Sequence, residues 1–249
     1  MDMNDPLSTA SEPSDARDEL AAIAVRYARR PPPALYGMLR PEVVASTQEW
    51  QAKLLRMMRE DCRFRDEQLK ALRLVDVGCG FGGHLLDFLR FGFTPDNLSG
   101  IELLPERAEG ARRRLPADVR IREGDASTAG LAPESQDIVF QSVVFSSLLD
   151  DRLQEELAAS MWHWVKPGGG VFWYDFTYDN PWNKDVRGVP VRRIKELFPD
   201  GRIVVRRVTL APPISRRVCR IYAPAYHLFN IAPFLRTHVL CWIAKDDHQ

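Results

Sequence analysis

The chain has 249 residues, with 34 Lys plus Arg against 34 Asp plus Glu and a formal net charge of zero at pH 7. That length accommodates one large α/β domain with a buried core. The charge balance argues against a generic nucleic-acid binder, which usually carries a basic excess. Cys62, Cys79, Cys219 and Cys241 form no CxxC pair and no metal-ligand spacing, so reduced thiols, a cytoplasmic location and no metal are expected. No apolar run is long enough to span a bilayer, and the acidic start is unlike a signal peptide. The apolar stretch 221–243 is interrupted by Asn230, Pro233, Arg236 and His238, so it is expected to touch a membrane surface at most.

In chain order, residues 1–14 are polar and poor in apolar side chains, which predicts a disordered tail. Ala16 to Arg30 reads as a helix stopped by Pro31-Pro32-Pro33. A second helix opens at Pro41 and runs to about Arg65, with Val44, Trp50, Leu54, Met57 and Met58 roughly on one face. Residues 15–68 are thus expected to form a helical cap. From residue 69 to 249 the pattern is that of a core in which short apolar runs alternate with helices. Strands are predicted at Leu72–Val77, Leu98–Ile101, Val119–Ile121, Ile138–Gln141 and Gly170–Phe176, and helices at Gly83–Phe91, Pro105–Leu115 and Asp150–Trp164. Two more strands, Arg202–Leu210 and Thr237–Ala244, flank a helical insertion over 214–234. The expected fold is one α/β domain with helices on both faces of a mostly parallel, seven-stranded, Rossmann-like sheet that ends in an antiparallel hairpin strand.

The run Leu74-Val75-Asp76-Val77-Gly78-Cys79-Gly80-Phe81-Gly82-Gly83 sends a buried strand into a glycine turn and then a helix. Glycine suits a tight turn approached closely by a ligand. Alone, the run fits a dinucleotide site equally well. Glu102 ends the second strand, where a carboxylate can accept from both ribose hydroxyls. Asp125, in Glu123-Gly124-Asp125-Ala126, follows the third strand and is placed to accept from an adenine amino group. Gln141 lies in the fourth strand, and Val165-Lys166-Pro167-Gly168-Gly169-Gly170 reads as a turn before the fifth.

In order and spacing, these segments from about Leu72 to Phe176 resemble the class I S-adenosylmethionine-dependent methyltransferases. The resemblance implies adenosylmethionine as cofactor. Asp76 would then orient the glycine loop and the methionine end. Gly78, Cys79, Gly80 and Gly82 would pass under the cofactor. Glu102, followed by Leu103, would hold the ribose. Asp125 and the backbone of Ala126 would read the adenine, and Gln141 would lie near the amino-acid end.

An acceptor is expected over the carboxyl ends of strands four and five. Asp175, Tyr178 and Asp179 lie there in a loop dense in aromatic and polar side chains, Asp175 to Trp182, and are the candidates for base or substrate contact. Asp179-Asn180-Pro181-Trp182 is not the motif of DNA amino-methyltransferases, which follows the fourth strand and has a second proline. His84 borders the glycine loop, and Tyr27 and Tyr36 belong to a segment that could close over the cofactor. The C-terminal third resembles that of bacterial methyltransferases associated with cell-surface polysaccharide synthesis, which implies a hydroxyl acceptor on a glycan or small molecule. Arg187, Arg192, Arg193, Arg216 and Arg217 would then meet phosphate. The alternatives are methylation of an aromatic secondary metabolite on oxygen or nitrogen, and a non-catalytic adenosylmethionine-binding partner.

Overall fold

The structure, a computed structural model, describes residues 14–29, 36–62, 64–181 and 183–247, with side chains from residue 19 onward. The N-terminal tail up to residue 13, the run Pro31–Pro33 and Trp182 lie outside the described residues.

Helices α1 (Ser14–Ala28), α2 (Pro41–Glu60) and the short α3 (Asp66–Leu69) precede the sheet. The second helix is therefore shorter than its apolar pattern predicts, and the chain turns before restarting. Then follow β1 (Leu74–Val77), α4 (Gly83–Phe91), β2 (Leu98–Glu102), α5 (Pro105–Arg114), β3 (Arg120–Glu123), β4 (Gln136–Ser142), α6 (Asp151–Trp164) and β5 (Val165–Phe176). The chain continues through α7 (Val191–Leu197), β6 (Arg202–Leu210), α8 (Pro212–Ile221), α9 (Ala225–Phe229) and β7 (Arg236–Ala244). Two further features depart from expectation. Helix α7 was not predicted, because seven residues span too few turns for a clear apolar period. The Lys166–Gly170 run is part of β5 rather than a turn: Lys166 Nζ grips both oxygens of Asp137 on β4 at 2.9 and 2.8 Å, and the β4–β5 register shifts beside it.

The seven strands form one sheet in the order β3-β2-β1-β4-β5-β7-β6. Pairings from β3 through β5 are parallel, and β7 is antiparallel to both its neighbours. The chain reverses its direction of winding between β1 and β4, and in open α/β sheets ligands bind outside the carboxyl ends of strands at such a point.

Alternation along the strands divides the core in two. Phe140, Phe172, Leu240 and Trp242 face α2 and α4, where they meet Leu54, Met57 and Phe88. Val139, Val171, Trp173 and Cys241 face the opposite side, where Met161, Trp164, Ile194 and Phe198 cover them. The two N-terminal helices thus lie on opposite faces: α2 belongs to the first core, while Ile23 of α1 belongs to the second. Helix α2 starts at Pro41, whose missing N–H costs nothing in the first turn. Arg206 of β6 holds its far end by pairing with Asp61 at 2.6 Å.

Leu54 is fully buried between α2 and the sheet. Leu54→Ala is expected to lower unfolding stability by ~2–5 kcal/mol, measured by urea titration; a loss below ~1 kcal/mol would show that α2 is not part of the cooperative core.

Candidate active site

The turn between β1 and α4 is pinned from two directions. The backbone N–H groups of Gly78 and Cys79 both donate to the carbonyl of Ile101, at 2.8 and 3.1 Å. Glu102, at the end of β2, accepts from Gly80 N through Oε2 at 2.7 Å and from Leu104 N through Oε1 at 3.0 Å. Gly78 has φ +69°, and a Cβ there would stand 2.5 Å from a Val144 methyl group. This position therefore requires glycine for both conformation and space.

Beneath the loop lies Asp76, 1% exposed, with both carboxylate oxygens unpartnered among the described residues. Burial, and then the neighbouring Glu102 charge, push its carboxyl well above the usual carboxylate range. Glu102, rather than Asp76, orients the loop by direct hydrogen bonds. A buried carboxylate with no partner is costly unless it takes up a proton or meets a cation.

Beside the loop opens a cleft that is partly open to solvent. Gly78, Glu102, Leu103, Asp125 and Ala126 line it on the sheet side, and Val144 and Leu148 close one wall. Helix α1 closes another with Leu20, Ile23 and Tyr27. Two contacts hold that helix to the body: Arg26 donates to the Ser147 carbonyl at 3.1 Å, and Glu19 accepts from Leu149 N at 3.0 Å, while the two side chains pair with each other along the helix at 2.5 Å. Arg107 of α5 lies over the rings of Tyr27 and Phe81, joining α1 to the glycine loop. Asp125 borders the cleft, and its side chain accepts from the Ser127 backbone N–H and hydroxyl. Gln141 is buried away from the cleft, where it bonds Val144 N and the Tyr174 carbonyl.

Asp175, Tyr178 and Asp179 do not converge on this cleft. Asp175 is fully buried and accepts from the backbone N–H groups of Ser146 and Phe176. Asp179 accepts from Gly188 N at 2.8 Å and so ties its own loop. Tyr178 is half exposed and bonds Arg207. The five arginines also separate. Arg187 and Arg193 pair with Asp151 and Glu155, and Arg192 pairs with Glu196, so these three form no open phosphate surface with Arg216 and Arg217.

A different group gathers over the ends of β4, β5 and β6, under α2. Tyr174 is its hub. Its carbonyl accepts from Val143 N at 2.8 Å, and its hydroxyl lies 2.7 Å from Thr209 Oγ1. Val143 and Thr209 have φ +57° and +64°, which is strained backbone for β-branched residues. His84 Nε2 lies 3.1 Å from Ser142 Oγ, and the imidazole packs on Trp50. Burial pushes His84 down to about 4, so the Asp87 carboxylate 3.9 Å away does not keep the ring charged near neutrality. Glu49 Oε2 accepts from the Tyr226 hydroxyl at 2.7 Å; among the described residues its Oε1 is buried without a hydrogen-bond partner, as are Trp50 Nε1 and His84 Nδ1. Sequence reasoning placed Trp50 only in an apolar helix face. The signal it passed over was the acid Glu49 immediately beside a core tryptophan.

Among the described residues, no group of three or more His, Cys, Asp or Glu could hold a metal ion, and no helix is long and apolar enough to cross a membrane.

Residues 74–169 match a sequence family described as a methyltransferase domain. No curated protein sequence matches the chain. Similar solved structures include an S-adenosylmethionine-dependent methyltransferase from Mesorhizobium loti, at 14% identity and TM-score 0.54, covering 75% of this chain and 97% of that one. Another from Archaeoglobus fulgidus has 14% identity and TM-score 0.52, covering 76% and 99%. The chain has the class I S-adenosylmethionine-dependent methyltransferase fold. The same fold is shared by the [4+2]-cyclase SpnF, at 17% identity and TM-score 0.52 over 71% of this chain and 76% of that one.

Two outcomes test the site. Glu102→Ala removes the acceptor for two loop N–H groups, whereas Asp125→Ala removes only a local cap. Charge-assisted hydrogen bonds contribute roughly 1.5–3 kcal/mol each, so Glu102→Ala is expected to lower both melting temperature and cofactor affinity more than Asp125→Ala. Equal effects in thermal unfolding and calorimetry would contradict the loop assignment. The second concerns His238, which stacks on Tyr174 and is held down to about 4 by burial. Between about pH 4 and the ordinary histidine value near 6.5, the unfolded chain binds the proton that the folded chain refuses, so stability falls as pH falls through this window. His238→Phe keeps a ring against Tyr174 but does not titrate. The drop in melting temperature from pH 7 to pH 5 is expected to be smaller in this variant than in the parent.

Proposed function

We propose that the protein binds S-adenosylmethionine in the cleft between the glycine loop and α1, and transfers its methyl group to a hydroxyl of a glycan-type or small-molecule acceptor. The observation that carries this reading is the unpaired carboxylate of Asp76 behind the glycine loop, next to an apolar cleft rimmed by Glu102. A nucleoside with a cationic tail matches both features. Its flat base suits the walls of Leu103, Ala126 and Leu148, and its positive end suits a carboxylate that has no protein cation. Glu102 has two oxygens with about four acceptor sites between them. Two serve the loop, which leaves capacity for ribose hydroxyls.

Bound there, the cofactor supplies an electrophilic methyl group on a sulfonium. The residues of this chain then have three tasks. The glycine loop, fixed by Glu102, positions the donor. Helix α1, held by Arg26 on the Ser147 carbonyl and by Glu19 on the Leu149 N–H, excludes water. The strained hub around Tyr174 offers an acceptor site at the carboxyl ends of β4 to β6, where Ser142, His84 and Glu49 present hydrogen-bonding groups beside the faces of Trp50 and Tyr174. The depressed pKa of His84 matters here. A neutral imidazole adds no positive charge near the sulfonium, and it can orient an acceptor hydroxyl as a hydrogen-bond acceptor. With the donor held by the glycine loop and Glu102, the acceptor oxygen would take the methyl group in line, and its hydroxyl proton would pass to a base or solvent.

Calorimetry with adenosylmethionine, its demethylated product and NAD tests the cofactor. Binding of the first two and none of NAD is expected. Asp76→Asn is expected to weaken adenosylmethionine binding by about tenfold or more, ~1.4 kcal/mol, while melting temperature stays level or rises because an unpartnered buried carboxylate has gone. Tight NAD binding with no adenosylmethionine signal would end this reading. Incubation with methyl-labelled cofactor and a pool of glycan and small hydroxylated acceptors tests transfer. Retention of the label on the cofactor despite tight binding would favour a non-methylating role on this fold.

A further inference from the structure

We propose that the surface formed by α8, α9 and the turn before β7 docks on an anionic phospholipid membrane. This inference stands apart from the methyl-transfer reading and does not need it.

The first observation is an amphipathic unit with a fixed inner side. Cys219 of α8 and Tyr226 of α9 are buried with Leu210 and Ala45 of α2, and the Tyr226 hydroxyl donates to Glu49. The unit is therefore anchored to the body of the protein. Its outer side is left to solvent although it is apolar: Ile221 is 88% exposed, Ile231 70% and Phe234 81%, and Tyr222, Leu228 and Phe229 are exposed beside them. Scattered single apolar residues on a surface need no explanation, but a contiguous set marks an interaction site. Just before α2, Met38 and Leu39 are also exposed, and Leu39 is fully so. They adjoin the same surface, since Glu42 in the next turn lies close enough to Arg216 and Cys219 to interact electrostatically with both.

The second observation is charge. Residues 211–236 contain four arginines and no aspartate or glutamate, within a chain whose net charge is zero. Arg216, Arg217 and Arg220 are exposed along α8. Elsewhere Arg187, Arg193 and Arg206 are paired with Asp151, Glu155 and Asp61. Among the described residues, Arg216, Arg217 and Arg220 form no salt bridge. Apolar and aromatic tips beside Arg217 and Arg220, on a segment that carries no carboxylate of its own and has Glu42 near Arg216 alone of its arginines, suit the boundary between lipid headgroups and acyl chains. A protein-binding patch would instead deplete charge at its centre. Helix α9 therefore faces two ways, with Tyr226 pointing inward to the cluster at the proposed acceptor site and Leu228 and Phe229 pointing outward.

Flotation of the full chain with vesicles tests the proposal. Binding is expected to vesicles of phosphatidylcholine containing phosphatidylglycerol, little to phosphatidylcholine alone, and a weakening as salt shortens the range of electrostatic attraction. The double variant Ile231→Ser/Phe234→Ser is expected to lower partitioning by about tenfold or more, because burial of apolar groups drives insertion. Arg217→Glu/Arg220→Glu is expected to abolish the preference for the anionic lipid. All four positions are exposed, so fold and cofactor binding should be unchanged, which far-ultraviolet circular dichroism and calorimetry check. The proposal is overturned if the parent fails to float with anionic vesicles, or if both double variants float as well as the parent. It is equally overturned if sedimentation shows a dimer that covers this patch and dissociates in the serine variant.

Discussion

Two carboxylates, Asp76 and Glu102, are buried next to each other beneath one glycine turn, and the cleft is organised around the difference between them. Glu102 is occupied by two backbone N–H groups, and its position at the end of β2 fixes the turn. Asp76 has no donor among the described residues. Burial first, and then the neighbouring Glu102 charge, raise the cost of ionising Asp76, and its carboxyl is pushed well above the usual carboxylate range. Without a cation Asp76 thus favours its protonated form, and a bound cation would favour the carboxylate. A carboxyl perturbed in this way is a common property of functional sites, where stability is given up for recognition.

The helices outside the sheet divide the remaining work. Helix α1 packs on one face and supplies three side chains to the cleft beside the glycine loop. Helix α2 packs on the other and covers the Tyr174 hub, to which it contributes Glu49 and Trp50. The hub holds two β-branched residues in left-handed conformations, one at the end of β4 and one near the end of β6. Tyr174 bonds both, one through its carbonyl and one through its hydroxyl. Strain of this kind persists only where surrounding structure over-determines it.

The sheet was legible because its strands are short apolar runs punctuated by glycine and proline. Gly83–Phe91 and Arg202–Leu210 match the observed elements residue for residue. The glycine loop and the position of Glu102 were legible for the same reason, since each follows a strand buried in the core, whereas Asp125 follows the exposed edge strand β3 and was placed by its spacing from the earlier motifs. The acceptor side was not. Asp175 and Asp179 have the right chemistry and lie near the end of the right strand, but sequence does not reveal that backbone N–H groups already occupy them. Glu49, His84 and Tyr174 come together from α2, α4 and β5, over 120 residues apart in the chain. No local pattern encodes that meeting. Lys166 misled for another reason: Lys-Pro-Gly-Gly reads as a turn by composition, but its pairing with Asp137 holds it in the sheet.

The ends of the sheet have a bearing on how molecules of this protein meet one another. A chain with no net charge lacks the long-range repulsion that keeps many proteins apart, and an open sheet has two strands with unpaired backbone groups. Here those strands are β3 and β6. Arg120 and Arg122 stand exposed on the first, and Arg202 and Arg207 on the second. Two copies approaching rim to rim would bring guanidinium groups into register before any ladder of hydrogen bonds could form. Charged side chains on edge strands are a recognised defence against such pairing. The arginines thus act as local guards against edge-to-edge aggregation, in a molecule whose overall charge offers none.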